Sequence, residues 1–227
     1  TLLLAALLAS VLLASPWWFG LVRDPEMPRL AASVLSSGLL LRGGVCFGLA
    51  ALVPLLLLRR LQGPGRLLSV QLPVLGFAVL ALQPLWQLGD QLRGLPVRQI
   101  AAAAVSQRRS SETLAMVGIL KPSLHYYSRR VVLYEGNEPG DLSNLADRLS
   151  REHRRGLSPN NSPTVLVVID AGTAAKPHWQ GLSPQLLASA GLYRLWRLDR
   201  HLLEQRAAAL TRSGHGPTWQ RPRPERY

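Results

Sequence analysis

Long uncharged stretches dominate the first 90 residues of the chain. Residues 1–22, 43–58 and 67–89 contain no charged side chain. A helix rises about 1.5 Å per residue and needs about 20 apolar residues to cross a hydrocarbon core of about 30 Å. The pattern therefore predicts three membrane-spanning helices, the middle one being short for a span. Residues 30–41 are also uncharged but too few to cross, and they predict an interfacial helix.

Beyond residue 90 the apolar segments become short and charged residues become frequent, which is typical of a water-soluble domain. Helices are predicted at 96–109, 141–151 and 183–189, and strands at 114–120, 131–134, 165–169 and 192–198. The first two strands are expected to form a hairpin around Lys121-Pro122-Ser123. This order predicts a small α/β domain with a mixed sheet over residues 91–211. The Pro- and Arg-rich residues 212–227 predict a disordered tail.

The loop between the second and third predicted spans carries Arg59, Arg60 and Arg66. Short loops rich in arginine stay in the cytoplasm. The first helix then exits outward, the second returns and the third exits again. The sequence therefore predicts a multi-pass protein of the inner (plasma) membrane whose C-terminal domain is extracytoplasmic.

The net charge of +13 raises the question of nucleic-acid binding. No RNA- or DNA-reading motif accompanies it, and we predict no nucleic-acid partner. The single Cys46 sits in an apolar run, which excludes a disulfide framework and predicts a small buried side chain. The five histidines lack the spacing of metal ligands, so no metal site is predicted. The chain starts at Thr1 and runs directly into leucines, from which we expect a C-terminal piece of a longer protein.

A basic and aromatic segment follows the predicted turn at Pro122. Lysine and arginine side chains bind phosphate with charge-assisted hydrogen bonds, and tyrosine rings pack against sugars. The candidate ligand-binding residues are Lys121, Tyr126, Tyr127, Arg129 and Arg130. The alternative is a structural turn whose tyrosines pack beneath the sheet while the basic side chains face anionic lipid headgroups. The sequence leaves both interpretations open.

A second group of charged residues flanks the first two predicted spans, namely Arg23, Asp24, Glu26 and Arg42. These residues could line a cavity for a lipid phosphate or serve as interfacial anchors. Arg42 is the favoured candidate, because a charge at the edge of an apolar run is costly without a partner and a phosphate in the outer leaflet would supply one.

Two further positions have the residue types of a binding site. Asp170 follows the apolar run 165–169 and could bind a cation or nucleotide, but no glycine-rich loop opening a helix accompanies it. A turn aspartate is the favoured interpretation. His178-Trp179 stands in a proline-flanked loop and is predicted at the surface.

Two segments carry a family resemblance. Residues 118–132 read GILKPSLHYYSRRVV, and residues 90–98 read DQLRGLPVR. Placed after late membrane spans, they resemble the C-terminal part of membrane-embedded glycosyltransferases (GT-C type) of the aminoarabinose transferase and protein O-mannosyltransferase family. The specific match covers about residues 88–136, and the PEMP segment at 25–28 is most similar to cyanobacterial members.

The resemblance implies a parent enzyme that is inverting, has many spans, and moves a sugar from a polyprenyl-phosphate donor to a lipid, glycan or protein acceptor. Its catalytic acidic residue would lie in an N-terminal outward loop absent from this sequence, so no catalytic residue is assigned here and the fragment alone is expected to be inactive. The implied partners are membrane lipid, the lipid-linked sugar and the N-terminal transmembrane part of the same protein. No cofactor is expected in this piece, and whether the parent uses a divalent metal stays open. The alternative function is a non-catalytic, membrane-anchored periplasmic domain that binds a glycan or protein.

Overall fold

The computed structural model describes residues 2–56, 64–109, 112–154 and 162–218. The chain divides into two compact units, Thr1–Gly94 and Leu95–Tyr227. The first unit is helical and the second contains a sheet. Arg59 and Arg60, on which the predicted orientation depends, lie outside the described residues.

The first unit consists of helices. They are α1 (Leu2–Leu13), α2 (Ser15–Trp18) with a 3-10 turn at Phe19–Leu21, α3 (Leu30–Ser37), α4 (Leu39–Leu56), α5 (Pro64–Phe77), a π-helical turn at Ala78–Leu82, and α6 (Gln83–Gln107), which continues into the second unit. Within the described residues, Leu39–Leu56 and Leu67–Gln107 are long and apolar enough to cross a membrane. The pair Leu2–Leu13 and Ser15–Leu21 would be a third span, bent by 50°.

Three boundaries in this unit differ from those predicted. The helix expected over 1–22 breaks at Ala14, where Pro16 stands at the start of α2. The interfacial helix ends earlier, at Ser37, because Gly38 adopts a left-handed conformation (φ +65°). No new helix begins at Pro96, since α6 runs through it. Pro96 is buried, so packing outweighs the hydrogen bond that a proline removes.

Helices α1 and α4 pack closely through glycine. A Cβ at Gly44 would lie 2.8 Å from Leu13 Cγ and 3.1 Å from the Leu13 backbone nitrogen. The neighbouring Gly43 faces Leu12 and the Phe77 ring in the same way. In a membrane the hydrophobic effect does not drive helices together, so their association depends on van der Waals packing. Small residues allow the close approach that this packing needs. One turn further along α4, Gly48 has open space instead.

The second unit is a five-stranded mixed sheet with helices on both faces. Its elements are β1 (Leu114–Val117), α7 (Ser123–Ser128), β2 (Val132–Glu135), α8 (Pro139–Arg154), β3 (Thr164–Asp170), α9 (Ala171–Ala174), β4 (Gln185–Ala190), β5 (Tyr193–Asp199) and α10 (Arg200–Arg212). The strand order is β2-β1-β3-β5-β4. Strand β1 pairs in parallel with β2 and β3, while β5 is antiparallel to β3 and β4. The predicted α/β domain with a mixed sheet is confirmed.

Alternating residues of the strands face two separate cores. One core contains Ala115, Val117 and Val167 with the apolar faces of α8 and α10. The other contains Leu114, Met116 and Leu166 with the last turns of α6 and the buried side of α7. Strand β3 is therefore covered on both faces, as its continuous apolar run predicts.

The expected hairpin is wrong. Strand β1 ends at Val117 and pairs with β2 in parallel, in the register Leu114 to Val132. A parallel pair needs a crossover, which α7 supplies. Ile119 and Leu120 are apolar and are predicted to lie in the strand. They instead follow it and pack on the side of the sheet that α6 covers.

Two more predictions for this unit are wrong. Residues 183–189 do not form the predicted helix, because Gln185–Ala190 is the edge strand β4. Helix α10 is absent from the predicted elements; Asp199 caps it by accepting the backbone N–H groups of His201 and Leu202. Of the tail predicted from residue 212, the structure describes residues through 218, where the Thr218 backbone N–H donates to Asn144 Oδ1. The rest of that predicted tail, 219–227, lies outside the described residues.

The close approach of α1 and α4 gives a stability prediction. Gly44→Leu should destabilise the first unit by about 1–3 kcal/mol, because the added side chain overpacks the contact with Leu13. Thermal unfolding of the full chain in detergent measures the effect. Gly48→Leu is the matched control and should unfold near the wild-type temperature, since no atom lies within 4 Å of the position that its Cβ would occupy. Equal losses in both variants would show that the close contact with Leu13 does not set the cost.

Candidate functional site

The segment that precedes α7 is fixed by hydrogen bonds from neighbouring strands. The Gly118 backbone N–H donates to the carbonyl oxygens of Glu135 and Gly136, each at 3.2 Å, and the Ile119 N–H donates to Asp170 Oδ2 at 3.0 Å. Gly118 has φ +85°, and any Cβ there would collide with Asp170 and Thr173. Glycine is therefore required for the chain to leave β1 in this direction.

Tyr134 holds the next residues in place. Its hydroxyl donates to the backbone oxygens of Lys121 and Pro122, at 3.3 Å and 3.4 Å. Burial raises the pKa of the Tyr134 phenol, and a hydrogen bond from the His125 backbone lowers it by a smaller amount. The phenol thus stays a neutral donor at physiological pH. Lys121 is only 8% exposed, so its side chain does not join the open surface beyond it.

Helix α7 presents its basic and aromatic residues to the outside. Leu124 and Ser128 are buried against the sheet, whereas Tyr126 is 76% exposed and Tyr127 38%. Their rings meet edge to face, with centroids 5.3 Å apart. The tyrosines therefore do not pack beneath the sheet, which removes that part of the structural alternative.

The residues that follow α7 extend the same surface. Arg129 adopts a left-handed conformation (φ 51°), uncommon for a non-glycine residue, and ends the helix. Arg130 is exposed and Val131 is 75% exposed. We call Tyr126, Tyr127, Arg129, Arg130 and Val131 the α7 surface. Of the predicted ligand-binding group it unites all but Lys121.

The candidate residues of the first unit form a separate group. Glu26 Oε2 accepts from Arg93 Nε at 3.0 Å, and Asp24 Oδ1 accepts the Glu26 backbone N–H at 2.8 Å. Arg23 is exposed, and Arg42 is exposed in the first turn of α4. Glu26 follows the first candidate span and Arg93 lies beyond the third predicted span. Their ion pair thus brings these two chain segments to the same end of the first unit, as alternating spans require.

Asp170 has no free oxygen for a ligand. Oδ1 accepts the Thr173 N–H at 2.9 Å and caps α9, while Oδ2 accepts the Ile119 N–H. The crevice at the carboxyl ends of β1 and β3, where an open α/β sheet often binds nucleotides, is filled by this carboxylate and Thr173. The turn interpretation of Asp170 is confirmed.

The predicted surface location of His178-Trp179 is wrong. His178 is 7% exposed and Trp179 is 2% exposed. Arg206 donates to the carbonyl oxygens of Pro177 and His178, at 2.7 Å and 3.2 Å, and holds this loop against α10. Burial lowers the pKa of His178, with a further contribution from the charge of Lys176, and the imidazole is neutral at physiological pH.

The buried ion pair between Glu112 and Arg197 is not predicted from the sequence. Glu112 is fully buried, with Oε1 2.6 Å from Arg197 Nε and Oε2 accepting from Arg197 Nη2 at 3.1 Å and from the Arg109 N–H at 2.9 Å. The same arginine donates to the Gln107 backbone oxygen at 2.7 Å and so fastens the end of α6 to β5. The two residues are 85 positions apart. The sequence signal for this pair is weak: Arg197 stands among apolar residues in the predicted strand 192–198.

Several effects act on the Glu112 carboxyl group. Burial is the largest and raises its pKa, but hydrogen bonds from Arg197, Arg109 and Thr164 and the charge of Arg197 together outweigh it. The pKa therefore lies below the ordinary glutamate value, and the carboxylate stays ionised at neutral pH. Among the described residues no cluster of three or more His, Cys, Asp or Glu side chains could hold a metal ion.

Comparisons with known proteins show what the second unit is similar to. Residues 107–214 match the family "Cyanobacterial RgtA-type glycosyltransferase, C-terminal domain". A search of curated proteins gives no match. The family resemblance inferred from the sequence is confirmed.

Solved structures extend the likeness to the first unit. ArnT from Cupriavidus metallidurans bound to undecaprenyl phosphate is 20% identical, with a TM-score of 0.55 over 86% of this chain and 35% of that chain. The apo form of the same protein is 22% identical, with a TM-score of 0.52 over 88% and 37%. These similarities establish the fold, and the chain spans just over a third of the length of the structures it matches.

The Glu112–Arg197 pair predicts acid-sensitive stability. Glu112→Gln should destabilise the second unit by about 3–5 kcal/mol, because it leaves the Arg197 guanidinium buried without a counter-charge. In the wild type the contribution is complete above the unfolded glutamate pKa of about 4.3 and is lost as the pH falls through the lower folded value. Amide hydrogen exchange of β3 and β5 in the full chain, followed against pH, measures both effects.

Glu138→Gln is the control for this experiment. Its carboxylate is exposed and pairs with Lys176 at 3.3 Å, so its removal should cost less than about 1 kcal/mol. If the Glu112→Gln variant loses the same protection on acidification as the wild type, the acid sensitivity does not come from this pair.

Proposed function

Because residues 107–214 match the C-terminal domain of cyanobacterial RgtA-type glycosyltransferases, we propose that the chain is the C-terminal part of a membrane enzyme that transfers a sugar from a polyprenyl-phosphate donor. That family match carries the proposal. Two observations support the donor class: the chain shares the fold of ArnT over most of its length, and that protein is solved with undecaprenyl phosphate.

The proposed reaction is a substitution at the anomeric carbon of the sugar. A bond forms from the acceptor hydroxyl oxygen to that carbon as the bond to the donor phosphate breaks, and polyprenyl phosphate leaves. A general base takes the hydroxyl proton. We place that base in another part of the parent protein. No described residue of this chain combines a free carboxylate with a cavity for a sugar.

The role we propose for this chain is to contact the donor. Arg129 and Arg130 are exposed and can bind a phosphate whose negative charge grows as the sugar departs. Tyr126 and Tyr127 offer an aromatic surface beside them for the sugar. In the first unit, exposed Arg42 and Arg23 offer a second cationic contact near the ends of the spans, with Asp24 and Glu26 shaping the loop.

We also propose that the second unit is extracytoplasmic in the inner membrane. The arginine-rich loop at 59–66 supports this orientation. The Glu26–Arg93 ion pair is compatible with this orientation, because alternating spans would place both residues on the same side of the membrane.

Transfer activity tests the donor contact. In the parent protein, Arg129→Gln/Arg130→Gln should lower turnover about 10- to 100-fold with a polyprenyl-phosphate sugar, because two charge-assisted contacts to the leaving phosphate are lost. Release of polyprenyl phosphate from membranes containing the parent enzyme and acceptor is the measurement. Arg194→Gln/Arg212→Gln removes the same charge from exposed positions on β5 and α10 and should retain wild-type turnover. Wild-type turnover in the first variant, at equal stability, rules out the donor contact. The absence of any acceptor-dependent release by the wild-type parent would contradict the proposed reaction itself.

Cysteine labelling tests the orientation. With Cys46 replaced by Ala, Asn137→Cys should react with a membrane-impermeant maleimide added to intact cells, because Asn137 is exposed on the second unit. Gln62→Cys, in the arginine-rich loop, should react only after the cells are opened. The reverse pattern would put the second unit in the cytoplasm.

A further inference from the structure

The α7 surface is more apolar than a water-facing surface needs to be. Tyr126 and Val131 expose three quarters of their area within a span of six residues, while the other side of the same helix is buried. An exposed apolar cluster of this kind, bordered by polar residues, marks a binding surface.

The charge of this region selects an anionic partner. No acidic residue occurs between Glu112 and Glu135. The first of these is buried against Arg197 and the second is 2% exposed. No neighbouring carboxylate in sequence therefore offsets Arg129 and Arg130 at the surface. A tyrosine pair beside two arginines suits the headgroup layer of a bilayer, where phenol rings lie at the boundary and guanidinium groups reach phosphates.

The course of the chain favours a membrane over a protein partner. Helix α6 is continuous with the candidate span Leu67–Gln107, and its last turns pack on the same side of the sheet as α7. Helix α7, which carries this surface, and residues 97–104 therefore cover one face of the second unit's sheet. The opposite side carries α8 and α10, where the acidic residues Asp147 and Glu204 are paired with Arg151 and Arg200.

We propose that the α7 surface is the bilayer-contacting face of the second unit and binds anionic phospholipid headgroups. Tyr126, Tyr127 and Val131 lie among the headgroups, and Arg129 and Arg130 bind their phosphates. This inference rests on the proposed membrane location of the chain, and it deepens the proposed function because it keeps the donor-contacting residues at the depth of the donor phosphate.

A fluorescent label on the full chain tests the contact without any sugar donor. In a Cys46→Ala background, an environment-sensitive label at Val131→Cys is compared with one at Gln205→Cys, which is exposed on α10 across the sheet. The chains are reconstituted in phosphatidylcholine vesicles with or without about 30 mol% phosphatidylglycerol, and quenching by lipids spin-labelled near the headgroup is measured. We expect about threefold stronger quenching at 131 than at 205 in the anionic vesicles.

Variants that remove charge test whether Arg129 and Arg130 cause the quenching at position 131. Arg129→Gln/Arg130→Gln should reduce the quenching at 131 nearly to the level at 205, whereas Arg194→Gln/Arg212→Gln should leave it unchanged. Both pairs are exposed, and circular dichroism verifies that each variant is folded. Quenching at 131 that is no stronger than at 205, or that persists without Arg129 and Arg130, overturns the inference.

A final arm separates the bilayer from the donor. Vesicles of phosphatidylcholine with about 1 mol% polyprenyl phosphate carry too little charge to act as an anionic surface. Strong quenching at 131 in these vesicles but not in those with phosphatidylglycerol would show that the α7 surface binds the donor lipid and not the anionic bilayer. That result would overturn this inference and support the proposed function. Normal quenching with phosphatidylglycerol, together with full transfer activity of the Arg129→Gln/Arg130→Gln parent, would retain the bilayer contact and remove the donor role.

Discussion

The burial of β3 on both faces is the constraint on which the second unit depends. A strand whose side chains all point into apolar cores must be covered twice, and its neighbours must supply all its backbone hydrogen bonds. Strand β1 pairs along one edge and β5 along the other. Helices α6 and α7 then close one face, and α8 and α10 close the other. The last residue of β3, Asp170, uses its carboxylate to fix both α9 and the exit from β1.

This arrangement also decides which residues are free to act. The crevice that an open sheet offers at its carboxyl edge is filled, and Glu112, His178 and Glu135 are buried. Among the described residues, basic and aromatic side chains are exposed together at the end of the β1–β2 crossover through α7. The role proposed for such a domain is to bind and orient a phosphate or a headgroup. The proton transfer of glycosyl transfer would then fall to another part of the parent protein.

The sequence predicts what depends on one-dimensional pattern. Uncharged length identifies the candidate spans, the continuous apolar run identifies β3, and leucine spacing identifies α8, where Leu142, Leu145 and Leu149 are all buried. The errors come from pairing and packing between distant residues. Strand β1 pairs with β3, which lies about 50 residues further along the chain. The edge strand β4 has a local sequence that favours a helix. His178 is buried because Arg206 on α10 anchors its loop. The sequence does not predict which candidate residues are exposed: Lys121 is 8% exposed, whereas Tyr126, five residues further along the same segment, is 76% exposed.

The parallel pairing of β1 with β3 has a consequence for biosynthesis. Leu114 of β1 pairs with Leu166 of β3, so the middle of the sheet cannot close until residues up to 170 have been made. Long-range parallel pairing is slow, because the loop between the strands must be ordered before their contacts repay the entropy. The candidate spans at 39–56 and 67–107 are complete far earlier in synthesis. The candidate spans can therefore insert while the second unit is still an extended chain, and under the proposed orientation the second unit would cross the bilayer before it folds.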